Sequence, residues 1–145
     1  MLTRYRQLSK PERQDLWQAT WRLLVVRVCL LTGIRRTENW LGRPNTNPAK
    51  TGDHDLWHRR ALALKRIAPR IPRTHCLARA LALRWWMSSA GLDAQMIIGI
   101  RKGPNGLESH AWVELDDTPI DETPENVTTY KTIPHDQVPG QNWQR

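Results

Sequence analysis

The sequence predicts an α+β fold in which N-terminal helices and one buried central helix pack on a small antiparallel sheet. Three observations carry that prediction: apolar residues recur at three- and four-residue steps through the first half, the stretch from Cys76 to Ala90 is apolar nearly all round, and short branched runs separated by turn formers follow Gly91. A chain of 145 residues has the size of one ordinary domain and can bury a core without disulfide or metal support. It therefore reads as a single unit over 1–145, with N-terminal helices in 1–69, a core in 70–124 and an irregular tail in 125–145.

From Pro11 to Leu31 the positions Trp17, Trp21, Leu24, Val28 and Leu31 mark the apolar face of an amphipathic helix that ends near Gly33, and the Trp pair is expected in the core. Gly42 to Gly52 supplies Pro44, Pro48 and several Asn and Thr residues, which reads as a loop. Asp53 can cap a second helix with the stripe Trp57, Ala61, Leu64 and Ala68, stopped by Pro69 and Pro72. The central helix starts at Cys76, and Gly91 stands where a helix C-terminus favours a left-handed residue. Trp85 and Trp86 on it read as core or partner-interface residues. Ala94 to Ile100 is a strand, Gly103-Pro104-Asn105-Gly106 a reversal, His110 to Leu115 a second strand and Thr118 to Glu122 a third. After Thr123 the chain is polar and proline-bearing and predicts little regular structure.

Composition narrows the function classes. Cys29 and Cys76 lie far apart in sequence, and Cys29 sits in an apolar run, so they make poor disulfide partners and Cys29 reads as a small buried hydrophobe. Neither a secretory signal nor a membrane span is visible, since the apolar run at 23–31 is too short and carries Arg27. A cytoplasmic protein is expected. The formal charge of +8 suits an acidic partner, but the arginines are scattered and match no nucleic-acid motif, so no nucleic acid is expected as a partner.

The chemistry concentrates at two residues. Cys76 begins a helix, where unpaired N–H groups and the helix dipole favour a thiolate. His110 begins an apolar strand after a polar turn, so its ring can stand at the sheet edge, pair with that thiolate and later protonate a leaving amine. A third polar group normally orients such an imidazole, and Asp121 and Glu122 are the candidates. If Asp116-Asp117 form a two-residue turn, Ile120 faces with Val113 and Leu115, and Asp121 shares the face of His110; a three-residue turn reverses this. The packing argument points to Asp121. Thr74, His75 and Trp112 are candidates for contacts with substrate, with Trp112 walling a groove or covering the hairpin.

His54 and His58 stand four apart on one helix face, a zinc-ligand spacing close to that of HExxH metallopeptidases. Asp55 would hold a water-activating carboxylate farther back than Glu, and no third ligand follows at helical spacing. No metal is therefore expected.

The segments Cys76-Leu77-Ala78-Arg79-Ala80-Leu81-Ala82-Leu83, Gly91-Leu92-Asp93-Ala94, Ile97-Ile98-Gly99-Ile100-Arg101 and His110-Ala111-Trp112-Val113-Glu114 stand in an order and spacing that resembles the lasso-peptide leader peptidases, within the papain/transglutaminase-like cysteine proteases. The resemblance covers residues 70–124. It implies a transglutaminase/papain-like core, a Cys-His-Asp triad and no cofactor. It also implies removal of the leader from a ribosomally made precursor peptide, presented by a separate leader-recognition protein, with the cyclase that joins the new amine as a further partner. The family usually has Asn-Asp where this chain has Asp121-Glu122, so the family register puts the acid at Glu122. Two other function classes stay open: acyl transfer to an amine, as in transglutaminases, and a binding module indifferent to Cys76.

Overall fold

A computed structural model describes residues 8–41 and 52–133. The proposed loop at 42–52 lies outside these residues except for Gly52, as does the tail from 134 onward. Helix α1 (Lys10–Cys29) opens with a capping box: the Ser9 hydroxyl accepts from the Glu12 N–H, and the Glu12 carboxylate accepts from the Ser9 N–H at 2.8 Å. A 3₁₀ turn (Leu30–Thr32) and Gly33, at φ 107°, lead into α2 (Ile34–Leu41), a helix that periodicity did not predict. Helix α3 (His54–Ile67) is capped by Asp53, whose carboxylate accepts from the Leu56 N–H, as the sequence suggests. Then comes α4 (Cys76–Ser89), closed by Gly91 at φ 86°.

The sheet runs in the order β3-β2-β1-β4. Strands β1 (Gln95–Gly103) and β2 (Gly106–Leu115) form a long antiparallel hairpin that reaches further into the polar residues around Pro104-Asn105 than the apolar runs alone suggest. Asp116 and Asp117 do form a two-residue turn, both at positive φ as a type I′ turn requires. Beyond it β3 covers only Thr118–Pro119 instead of continuing to Glu122. The segment after Thr123, expected to be irregular, contains a short helix α5 (Pro124–Val127) and strand β4 (Lys131–Ile133), which pairs with Ile98–Ile100 of β1.

Helix α4 is the centre of the core. Ala78, Leu81, Ala82 and Leu83 are buried between α1 and α3 on one side and the Ala111–Val113–Leu115 face of β2 on the other. Ile120 faces with Val113 and Leu115, as the hairpin register requires. The helical layer also holds a polar cluster. Asp15, buried on α1, pairs with Arg59 at 2.7 Å and Arg60 at 3.4 Å, and the Arg60 and Arg22 guanidiniums both lie over the ring of Trp86. A carboxylate can be buried here because two cations meet it.

Two expectations about α1 and its neighbours are corrected. The face α1 buries is Asp15, Ala19, Leu23 and Val26, whereas Trp17, Trp21, Leu24, Val28 and Leu31 are exposed. Both faces of this helix are apolar, and the one that fits against α3 and α4 is the one with the small residue, Ala19. Cys29, near the end of the helix, is half-buried rather than fully enclosed. No helix among the described residues is long and apolar enough to cross a membrane.

Candidate active site

Helix α4 begins on the uncovered edge of β2. Because β3 pairs with β2 only at Glu114 and Leu115, the N–H groups of Ala111 and Val113 point outward with no strand among the described residues beside them. Each meets a side chain instead. The Ala111 N–H acts on the Cys76 thiol, and the Val113 N–H donates to Asp121 Oδ1 at 2.8 Å. An open strand edge thus becomes the seat of the thiol.

Cys76 occupies the first position of α4, behind His75 at the N-cap. Its sulfur is paired with His110 across a small shared cavity, and the Leu77 N–H also favours the thiolate. Burial acts to raise the thiol pKa, but the His110 bond and charge and the two backbone N–H groups outweigh it, so the group titrates below its ordinary value. For His110 the thiol bond is the largest influence. It raises the imidazole pKa, burial opposes it, and the charges of Cys76 and Glu122 reinforce it, leaving the ring more basic than usual. The opposite shifts of the two groups both move the pair toward its thiolate–imidazolium form.

The His110 ring is fixed by its neighbours. It stacks on Trp112 with centroids 6.1 Å apart and lies 5.4 Å from the Tyr130 ring, just ahead of β4. Gly99 lets these rings close up, since a Cβ there would stand 2.7 Å from Tyr130 Cβ and 2.9 Å from Trp112 Cη2. Trp112 is itself buried and donates its indole N–H to Glu114. It supports the histidine from beneath and does not wall a groove.

The acid facing the imidazole is Glu122. Its Oε1 lies 3.0 Å from His110 Nε2, a charge contact in which the carboxylate sits off the straight N–H···O line. Asn126 donates to the other oxygen at 3.0 Å, and Lys65 Nζ lies 3.4 Å from Oε1. Burial acts to raise the Glu122 pKa, but Asn126, Lys65 and His110 together hold it below the usual value. Asp121, which the packing argument favoured, is turned away to Val113, and burial raises its pKa.

The two-residue Asp116-Asp117 turn is formed, and the ladder beyond it breaks. Ile120 still donates to the Val113 carbonyl at 2.9 Å, but its own carbonyl is taken by His58 Nδ1 at 2.7 Å, and the Asp121 side chain substitutes for it on the Val113 N–H. The backbone therefore leaves the strand at Ile120 and carries Glu122, not Asp121, to the histidine. No pattern in the sequence marks His58 for this part. It stands seven residues before Lys65 on α3, so one face of that helix grips the Glu122 segment twice.

The remaining candidates are placed as follows. His75 is exposed, and among the described residues it makes no capping bond and the buried Thr74 hydroxyl, two residues before the thiol, has no partner. His54 lies 3.7 Å from Asp116, and among the described residues no group of three His, Cys, Asp or Glu side chains could hold a metal. The small cavity beside Cys76 and His110 is mostly apolar, walled by Ile34, Leu77, Ile98 and Ala111 together with Ser109.

A helix-borne cysteine hydrogen-bonded to a histidine on an adjoining antiparallel sheet, with an acid behind the histidine, defines a class of thiol-dependent acyl-transfer folds. The chain belongs to the transglutaminase-like superfamily, whose family model matches residues 19–135. No curated protein and no solved structure matches it.

Proposed function

We propose that the protein is a cysteine peptidase that removes the leader from a ribosomally made lasso-peptide precursor, with Cys76 as nucleophile, His110 as acid and base, and Glu122 as the group that orients His110. The observation that carries the reading is the Cys76–His110–Glu122 line at the head of α4. The thiolate adds to the carbonyl carbon of the scissile bond, and the backbone N–H of Cys76, in the first turn of α4 where helical N–H groups lack intrahelical partners, faces the developing oxyanion. As the carbon–nitrogen bond breaks, imidazolium gives its proton to the leaving amine, and a thioester remains. Water then adds to that thioester with His110 accepting its proton, and the freed leader carboxylate departs as the thiol is restored.

The resemblance over residues 70–124 supports the choice of substrate, and a separate leader-recognition protein would present it. Incubating a candidate precursor with that partner and the protein should give one cleavage by mass, and none with Cys76→Ala. Unchanged cleavage by the variant removes the mechanism.

The family match favours one second reading, acyl transfer to an amine in place of water. A leader product heavier than the hydrolysed one by the mass of the added primary amine less one water, and formed in preference to it, would select it.

A further inference from the structure

We propose that the outer face of α1 is a docking surface for a segment of a partner protein that is apolar at its centre and acidic at its ends. Trp17, Trp21, Leu24, Val28 and Leu31 follow one another at steps of four, three, four and three residues and are each between 47 % and 70 % exposed. Through α1 and the 3₁₀ turn that holds Leu31, these fourteen residues of rise make an apolar line about 21 Å long. Soluble domains rarely leave a contiguous line of that kind to water, and Trp is the residue most enriched where binding energy concentrates. The helix has already satisfied its packing through Ala19, Leu23 and Val26, so the outer line contributes nothing to the core.

Charge selects the occupant. Exposed Lys10 and Arg13 stand at the start of the line, where with Gln14 and Trp17 they surround a shallow groove, and exposed Arg35 and Arg36 follow its end. Of the three acids of this region, Glu12 is held by Ser9, Asp15 is buried against Arg59 and Arg60, and Glu38, beyond Arg35 and Arg36, is half-buried, so the exposed charge at both ends stays basic. A second copy laid on this face, in either direction, would set basic ends against basic ends. A lipid surface would call for cations along the helix flanks. Here the cations within the line turn inward, Arg22 onto Trp85 and Trp86 and Arg27 to the Pro72 carbonyl. Cations at the two ends and apolar residues between them fit a polypeptide segment of matching length. The inference stands apart from the thiol chemistry.

Two synthetic peptides of about 20 residues, long enough to span the line, test it: both carry Leu at three- and four-residue steps, one ending in Glu clusters and the other in Lys clusters. Titrated into the full chain and followed by Trp fluorescence, the Glu-ended peptide should bind at least about tenfold tighter than the Lys-ended one and weaken with salt. Leu24→Glu, and independently Val28→Ser, should weaken it by about tenfold or more while leaving the melting temperature and the alkylation of Cys76 unchanged. Equal binding of the two peptides, or full binding by both variants, overturns the proposal. So does tighter binding to anionic phosphatidylglycerol vesicles, a dimer that Leu24→Glu dissolves, or binding that appears only after removal of residues 134–145.

Discussion

Glu122 Oε1 stands 3.0 Å from His110 Nε2, while Asp121, one residue earlier, gives its carboxylate to the backbone of Val113. Neighbouring acids therefore have separable parts. Glu122→Gln removes a charge that favours imidazolium, so the His110 pKa should fall and turnover drop by about 10²–10⁴-fold with little change in melting temperature. Asp121→Ala leaves the Val113 N–H buried and unpaired, which should cost about 1–3 kcal/mol of stability in urea unfolding. Full activity of Glu122→Gln would remove it from the site.

The thiol should alkylate as a function of pH set by His110. In the wild type the rate with iodoacetamide, assigned to Cys76 by peptide mass, should reach half its plateau below the ordinary thiol value of 9.0. His110→Ala deletes the bond and the charge that lower the pKa, leaving burial opposed only by two backbone N–H groups. The midpoint should then move upward, and the rate near neutral pH should fall by about tenfold or more. An unmoved midpoint would mean that the imidazole does not touch the sulfur.

His58 should act at a distance. His58→Ala releases the Ile120 carbonyl, which is then free to resume the strand ladder with Val113 and draw Glu122 from the histidine. The expected result is lower turnover with a lowered His110 pKa, and the unchanged alkylation midpoint of a merely structural residue would contradict it.

Gly99→Ala tests the ring stack. Its Cβ would press on Tyr130 and Trp112, so the change should cost about 1–3 kcal/mol and shift the resonances of His110. A variant as stable as the wild type would show that the rings are not closely fitted there.

Much of the fold is legible in the residues. Asp53 marks a cap, Cys76 to Ala90 a buried helix, and the branched runs a hairpin, because each is a local pattern with a local cause. The thiol and the imidazole are legible for the same reason, as a cysteine at a helix start and a histidine at a strand start. Other features depend on tertiary fit. Helix α1 has two apolar faces, and the larger side chains, Trp17 and Trp21, mark the one that is not buried. Strand β4 and the Tyr130 ring are assembled from a polar stretch whose pairing partner lies some thirty residues earlier. Which of Asp121 and Glu122 faces His110 depends on where the chain leaves the strand, and the His58 contact with the Ile120 carbonyl that accompanies that departure is a tertiary one with no local signal.

The central contact is open to direct measurement by titrating the His110 ring by NMR before and after capping Cys76 as its methyl disulfide. With the thiol free, the midpoint should lie above the ordinary 6.5, because the thiol bond is the largest influence raising it. Capping removes that bond and the thiolate charge together, so the midpoint should fall. A midpoint that stays where it was after complete capping would mean that sulfur and imidazole are not partners, and the proposed chemistry would fail with it.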